Sequence, residues 1–131
     1  MQPEFDFGAI ALQRGLDARI SLRCGEFLFR EGDDADALYI VERGVLRIIS
    51  GSSVYETVQA GGIVGEMAII DEGMPRSASV IAGTYAELLK IDASEFTALI
   101  ADAPEFALMV MRVMARRLRL MNQRYRPQIA R

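Results

Sequence analysis

Residues 61–80 contain two charged side chains whose surroundings suit the binding of a small anion. The segment reads GGIVGEMAIIDEGMPRSASV, so that the carboxylate of Glu66 and the guanidinium of Arg76 are separated by apolar residues and turn formers. A guanidinium presents a planar fork of N–H donors that matches the oxygens of a phosphate group. Ser77 follows directly and can donate its hydroxyl to the same anion. These residue types therefore predict an anion site around Arg76.

A single helical turn is predicted directly after Gly65, a residue type that permits positive φ and close backbone approach. The run EMAII that follows is too short for an independent helix but can make one turn. The free N–H groups of a first turn carry partial positive charge, which suits an anion. We therefore expect the backbone amides near Met67 and Ala68 to contribute to the anion site.

Glu66 needs a different role, because a carboxylate beside a bound phosphate would repel it. A hydroxyl such as the 2′-OH of a ribose is a more suitable partner, and a phosphate together with a sugar hydroxyl indicates a nucleotide. The alternative is that Glu66 and Arg76 pair with each other and only pin the loop. The residues alone leave both interpretations open.

The elements that must hold this loop are predicted to be strands. Seven short segments between residues 18 and 91 are rich in β-branched and aromatic residues and are separated by turn signals. They are ARISL, EFLFR, ALYIVE, VLRIIS, SVYETV, SASVIA and AELLKI. Short strands at close spacing indicate a sandwich or a barrel. The anion segment lies between the fifth and the sixth of them.

Helices are expected at both ends of the strand region. A weak helical pattern opens the chain, and a first clear helix begins at Asp92 or Ser94, either of which can cap it. A second begins near Pro104 and ends at Pro127. This long helix has an apolar stripe and an arginine-rich opposite face. The stripe is typical of core packing, but it could also pair with a second copy or close over a ligand.

The amino-acid composition limits the kinds of catalytic and metal sites that the chain can form. The chain has 131 residues, 51% hydrophobic and 25% charged, which suits one domain with one core. It has no histidine, which removes Ser-His-Asp and Cys-His catalysis and the usual histidine metal sites. We therefore expect no enzyme, no catalytic residue, no metal and no cofactor. The one cysteine, Cys24, favours a reducing cytoplasm, and no apolar run approaches the roughly 18–20 residues that span a bilayer.

Charge is distributed unevenly along the chain. The net charge is −3, yet residues 104–131 hold seven arginines against one glutamate. Residues 1–103 hold eight basic and seventeen acidic side chains. A basic C-terminal helix on an acidic body can indicate a nucleic-acid contact. A solvated helix face needs no partner and is the simpler interpretation, so we do not expect nucleic acid to be the ligand.

Residues 65–79 resemble the phosphate-binding cassette of the cyclic nucleotide-binding domain family. That pattern is roughly an aromatic residue, Gly-Glu, apolar-Ala-apolar-apolar, a spacer, and Pro-Arg-small-Ala-small; this chain supplies GEMAII and PRSAS. Upstream, GEFLFREGDDADALYIVERGVLRI resembles the family's opening strands. The resemblance covers about residues 18–125. It implies a mainly β fold, an antiparallel jelly-roll-like β-roll with a short N-terminal helical element and two C-terminal helices.

The resemblance also implies a domain plan and residue roles. Residues 1–131 would form a single domain, with the β-roll over about 18–91, the helices over about 92–125, and no separate effector domain. Arg76 would hold a cyclic phosphate, and Glu66 would accept from the ribose 2′-OH. Ser77 would add a hydroxyl to the phosphate or the base. Close backbone, mostly amides, would come from Gly65, Met67 and Ala68.

Comparison with the family pattern also gives expectations for two further positions. Val64 stands where the family usually has an aromatic residue, and we expect it to give the pocket a smaller apolar wall. Arg117, by its position in the last helix, is a candidate lid residue over the base.

The function that the resemblance implies is a receptor for cyclic AMP, with cyclic GMP as second choice, whose ligand shifts the C-terminal helices. The last helix would contact a second copy of the chain or a separate effector protein. The first alternative is a nucleotide-independent interaction module with the same fold. The others are a nucleic-acid contact through the arginine-rich helix and a metal-dependent enzyme, which the absence of histidine makes the weakest.

Overall fold

The structure, a computed structural model, describes residues 7–124. Within that range the chain forms eight strands and four helices, in this order: α1 Phe7–Gln13, β1 Arg19–Leu22, β2 Phe27–Phe29, β3 Ala37–Arg43, β4 Leu46–Ser50, β5 Ser53–Val58, β6 Ile63–Val64, α2 Glu66–Ile70, β7 Ser79–Ala82, β8 Ala86–Asp92, α3 Ala93–Asp102 and α4 Pro104–Arg124. The predicted end of the last helix at Pro127 lies outside the described residues. None of the helices in that range combines the length and the apolar character that a membrane crossing requires.

The strands form two antiparallel four-stranded sheets. One sheet has the order β1-β8-β3-β6 and the other has the order β2-β7-β4-β5. This arrangement, with one helix before the strands and two after them, confirms the expected antiparallel β-roll. The assignment of the whole chain to a single domain stays a prediction.

Strand β3 is the centre of the packing because both of its faces are buried. Ala37, Tyr39 and Val41 belong to the cluster between the two sheets. Leu38 and Ile40 belong to a second cluster under the helices. Alternate residues of a strand point to opposite faces, so a strand covered on both sides needs a continuous apolar run. The run ALYIV in the sequence has this origin.

The terminal helices share the second cluster. Phe106 of α4 is fully buried, and its ring meets those of Phe7 in α1 and Phe96 in α3 at centroid distances of 5.2 and 6.0 Å, both edge-to-face. Such rings add geometry-specific contacts to the apolar area that they bury. The helices before and after the strands are therefore packed as one group on the β3 face of the roll.

Candidate functional site

A pocket of about 240 Å³ lies where α2, the start of β7 and α4 meet. Most of its wall is apolar, but three charged side chains that line it are almost fully buried: Glu66, Arg76 and Arg117, with exposed fractions of 2%, 4% and 6%. Buried charges are stable only when they are paired or hydrogen-bonded. The partners of these three side chains therefore define what the site can bind.

Arg76 is held by backbone carbonyls and an aromatic ring. Its Nη2 donates to the Ala37 carbonyl oxygen at 2.8 Å, and its Nη1 donates to that of Gly65 at 3.1 Å. The guanidinium carbon lies 4.0 Å from the centroid of the Phe29 ring. Burial lowers the pKa of Arg76, and the nearby Tyr39 and acidic side chains offset part of this effect. Neither carbonyl carries a formal charge, so these contacts leave the guanidinium charge itself without an ionic partner.

One donor of Arg76 is left over. Among the side chains that the structure describes, its Nε is the only buried nitrogen or oxygen atom without a hydrogen-bond partner. An unsatisfied buried donor costs roughly 1–3 kcal/mol, and more when the group is charged. A bound anion would satisfy this N–H and supply the missing negative charge. The arrangement therefore fits the anion site that the sequence predicted.

Gly65 allows the cassette backbone to approach Arg76. Its φ is +83°, and a Cβ at this position would lie 2.6 Å from Arg76 Nη1. Left-handed backbone favours glycine, and here the missing side chain also makes room for the guanidinium. Gly65 is the N-cap of α2, and no side chain caps that helix. The contribution of the amides near Met67 and Ala68 to anion binding stays a prediction.

Glu66 forms its ion pair with Arg117 rather than with Arg76. Arg117 Nη1 donates to Glu66 Oε1 at 2.7 Å. The sequence left open that Glu66 and Arg76 pair with each other and pin the loop. In the described part of the chain Glu66 pairs with Arg117 instead, so this alternative is wrong. The hydrogen bond from Arg117 engages Oε1, so Oε2 can accept from a ligand hydroxyl.

Arg117 connects α4 to the cassette, which sequence reasoning did not predict. Beyond Glu66, its Nε donates to Glu56 Oε1 at 2.6 Å, and its Nη2 donates to Glu56 Oε2 at 3.3 Å and to the Ile63 carbonyl at 2.6 Å. Burial by itself lowers the pKa of Arg117, but Glu66 and Glu56 outweigh it, so the pKa is raised. The side chain is neither a solvated arginine nor a free lid, because all three guanidinium nitrogens are bound to the protein.

The remaining predicted residues, Met67, Ser77, Val64 and Ala68, do not all line the pocket. Met67 and Ser77 line the pocket, with Ser77 Oγ 4.0 Å from Met67 Sδ. Val64 is fully buried in the cluster between the sheets, opposite Tyr39, and is not among the pocket-lining residues. The expected wall at Val64 is thus a core position, because β6 directs it between the sheets. Ala68 lies in α2, and the structure describes only its backbone.

Residues 19–103, most of the chain, match the family model of the cyclic nucleotide-binding domain. The chain belongs to this family. Cyclic nucleotide-binding domains are regulatory and typically not enzymes, so the match supports the coarser part of the expected function. It also confirms the resemblance that the cassette residues carry.

Three relatives show the reach of the match. The CRP-like cAMP-activated global transcriptional regulator of Mycobacterium tuberculosis is 34% identical over 103 residues, covering 75% of this chain and 46% of the regulator. The cAMP-dependent protein kinase type II regulatory subunit of Drosophila melanogaster is 36% identical over 72 residues, covering 55% and 19%. The crystal structure of Thermus thermophilus catabolite activator protein superposes with a TM-score of 0.74 at 32% identity, covering 88% and 56%. The chain thus covers less than half the length of either curated relative.

Proposed function

We propose that the protein is a receptor for cyclic AMP, with cyclic GMP as the weaker ligand, and that it transmits binding through its C-terminal helices. The observation that carries the proposal is the buried Arg76 with an unpartnered Nε in the wall of a mostly apolar pocket. Two matched relatives, a transcriptional regulator and a kinase regulatory subunit, are named for their response to cyclic AMP, which supports the choice of ligand.

The pocket offers a complementary group for each part of a cyclic nucleotide. The cyclic phosphate, a monoanion, pairs with the Arg76 guanidinium and its free Nε. The ribose 2′-OH donates to Glu66, whose other oxygen is held by Arg117. The purine packs on the apolar remainder of the wall, where thioether sulfur makes favourable contacts with aromatic rings. That remainder includes Ile48, Val80, Met114, Leu118 and Met121.

Transmission relies on α4, which provides part of the ligand's own pocket. Met114, Ala115, Leu118 and Met121 of this helix line the pocket beside Arg117. A ligand shifts a conformational equilibrium only by its difference in affinity for the two states. Because one wall belongs to α4, a nucleotide has different contacts with the protein when α4 is near and when it is displaced.

The outer face of α4 supports a second copy of the chain as the partner. Leu108, Met111 and Leu118 are 44%, 56% and 60% exposed, and Ala115 is exposed with them. Their spacing of three, four and three residues is that of the a and d positions of a coiled coil. We therefore favour a homodimer through α4 over a separate effector protein. Ala115 and Leu118 also line the pocket, so the proposed ligand and the proposed partner would contact neighbouring atoms.

The place of action that we propose is the cytoplasm. Cys24 is exposed and free, and a reducing compartment keeps such a thiol unpaired.

The direct test is a titration of the purified protein with fluorescently labelled cyclic AMP and cyclic GMP. We expect cyclic AMP to bind at micromolar concentrations or below, more tightly than cyclic GMP. Arg76→Ala should weaken binding about ten- to a hundredfold, which is the value of a hydrogen bond to a charged group. Arg76→Lys keeps the charge but not the fork and should recover only part of this loss.

The matched control is Arg30→Ala. Arg30 also lies over an aromatic ring, with its guanidinium carbon 3.8 Å from the Phe27 centroid, but it is exposed and does not line the pocket. Its removal should leave affinity unchanged. The absence of nucleotide binding at micromolar concentrations, or equal binding by folded Arg76→Ala protein, would contradict the receptor function. Tighter binding of cyclic GMP would contradict the choice of cyclic AMP.

A further inference from the structure

Glu56 has no part in the cassette, yet its carboxylate is tied to the cassette through one arginine. It lies on β5, and its side chain is only 15% exposed. Both of its oxygens accept from Arg117, Oε1 from Nε and Oε2 from Nη2. This two-point contact fixes the plane of the guanidinium, whereas a single contact would let it rotate. The remaining nitrogen, Nη1, is then directed to Glu66.

The cluster holds one more carboxylate than is needed to neutralise Arg117. Two glutamates share one guanidinium, and both are largely removed from water. A second buried carboxylate costs desolvation free energy that its attraction to a shared cation repays only in good geometry. Glu66 alone would already balance the charge. The contribution of Glu56 is therefore geometric, since it determines which edge of the guanidinium remains for Glu66.

Without Glu56, Nε would lose its partner and the Nε/Nη2 edge would keep only the hydrogen bond from Nη2 to the Ile63 carbonyl, so the guanidinium could turn this edge toward Glu66. An arginine and a carboxylate prefer a two-point pair, which would engage both oxygens of Glu66. Glu66 would then have less capacity to accept a ligand hydroxyl. With Glu56 present, Arg117 engages Oε1 of Glu66 and leaves Oε2 to the ligand.

We propose that Glu56 is a positioning residue for sugar recognition: by occupying the Nε/Nη2 edge of Arg117 it keeps one oxygen of Glu66 available to the ribose 2′-OH. The same contact ties α4 to β5. Arg117 also donates to the Ile63 carbonyl, so α4 is joined through one side chain to β5, β6 and α2. This inference rests on the proposed nucleotide function for the role of the hydroxyl, but the tie between α4 and β5 does not depend on a ligand.

The test compares Glu56→Gln with wild type for two ligands, cyclic AMP and 2′-deoxy cyclic AMP. Glutamine keeps the shape and one acceptor but loses the charge that holds the arginine edge. We expect the variant to bind cyclic AMP about three- to tenfold more weakly, as for other residues coupled through a shared partner. For the 2′-deoxy analogue, which has no hydroxyl to offer Glu66, the loss should be less than twofold. A purely structural role for Glu56 would weaken both ligands equally.

The matched control is Glu42→Gln. Glu42 forms the same two-point contact with an arginine, accepting from Arg19 Nε at 2.8 Å and from Nη2 at 3.3 Å, and it does not line the pocket. This variant should bind both ligands as wild type does. Equal cyclic AMP affinity for Glu56→Gln and wild type, or the same loss for both ligands, would overturn the positioning role.

A ligand-free measurement separates this inference from the proposed function. Amide hydrogen exchange in the nucleotide-free protein should be faster around Arg117 in Glu56→Gln and unchanged in Glu42→Gln. If wild type binds no cyclic nucleotide, the receptor function fails, and faster exchange would still support the tie to α4. If wild type binds but the exchange and the affinity of Glu56→Gln are unchanged, the receptor function stands and the role of Glu56 is wrong.

Discussion

At the scale of single residues, two glycines of the cassette share the same φ but have different surroundings. Gly65 and Gly73 both have φ of +83°. A Cβ on Gly65 would lie 2.6 Å from Arg76 Nη1, whereas one on Gly73 would meet nothing within 4 Å. Alanine at either position would carry the same strain of left-handed backbone, about 1–2 kcal/mol. The pair therefore separates backbone strain from displacement of the arginine.

We expect both Gly65→Ala and Gly73→Ala to lower the free energy of unfolding in urea titrations, and Gly65→Ala to lower it more, because its methyl group also displaces the buried Arg76 side chain. Only Gly65→Ala should also weaken cyclic AMP binding, by about tenfold or more, because its methyl group displaces a charged hydrogen-bond donor. An equal loss of affinity in Gly73→Ala would show that backbone strain in the cassette, and not the contact with Arg76, controls binding. Normal affinity in Gly65→Ala would show that Arg76 can move without consequence.

The residues that sequence reasoning found and missed differ in the kind of information that locates them. Glu66, Arg76 and Ser77 lie within one short segment, so type and spacing could bring them together. Glu56 was missed and Arg117 was named only as a lid candidate, because the two are 61 positions apart and their contact depends on how α4 is rotated against the roll. Val64 was placed in the pocket wall by analogy to a family position, whereas the pairing of β6 with β3 places it in the core.

At the scale of elements, the sequence predicted strands and helices correctly where the hydrophobic pattern was long enough to show a period. The seven predicted strands and the three predicted helical regions are present in the described residues. Strand β6 was missed because two residues, Ile63 and Val64, cannot show alternation. The start of α3 was predicted at Asp92 or Ser94, and the structure selects Asp92. Its side chain accepts from Glu95 N, and the Glu95 side chain accepts from Asp92 N, a reciprocal capping box.

The cap of α3 makes a pH-dependent prediction. The hydrogen bond from the Glu95 backbone, followed by that from Ser94, holds the pKa of Asp92 below its ordinary value. A carboxyl with a depressed pKa in the folded state stabilises the fold above its unfolded pKa, and that contribution is lost as the pH falls through the folded pKa. Asp92→Ala should therefore lower the urea midpoint at neutral pH, and its deficit should shrink in acid.

The control for this prediction is Asp92→Asn, which keeps an accepting oxygen but does not titrate in this range. Asparagine is also a preferred N-cap but lacks the charge, so this variant should lie between Asp92→Ala and wild type at neutral pH, and its deficit relative to wild type should shrink in acid. A deficit of Asp92→Ala that is the same at neutral and acidic pH would show that the carboxylate charge of Asp92 does not contribute to the cap.

At the scale of the whole molecule, not every arginine of α4 faces solvent. Arg117, one of the seven arginines of residues 104–131, is buried between two carboxylates of the acidic body. Its charge is therefore neutralised inside the domain and is not available to the phosphate backbone of a nucleic acid. Contact with nucleic acid depends on one cation per phosphate, so each arginine that is paired internally weakens that alternative.

The long helix α4 serves two surfaces at once. Its inner face, with Phe106, Val110 and Val113 at most 3% exposed, completes the core under the sheet. Its outer face presents the seam of Leu108, Met111, Ala115 and Leu118 to solvent. A surface helix normally needs only one apolar stripe, and a second one at coiled-coil spacing indicates a partner helix. Because a two-fold interface uses the same patch on both chains, the seam can pair with its own copy.

We expect the protein to have a solution mass of twice 14.5 kDa by light scattering at tens of micromolar, and Met111→Lys to reduce it to the single-chain mass. Met111 is 56% exposed and does not line the pocket, so a lysine there places like charges together in the seam without touching the ligand wall. Leu12→Lys, the same kind of change at a 61% exposed position on α1, should leave the mass doubled.

A single-chain mass for wild type with and without cyclic AMP would contradict the homodimer and would favour a separate effector protein as the partner of the seam. An unchanged double mass in Met111→Lys would place the dimer contact elsewhere on the surface, because a charge at the centre of a packed apolar seam must weaken it.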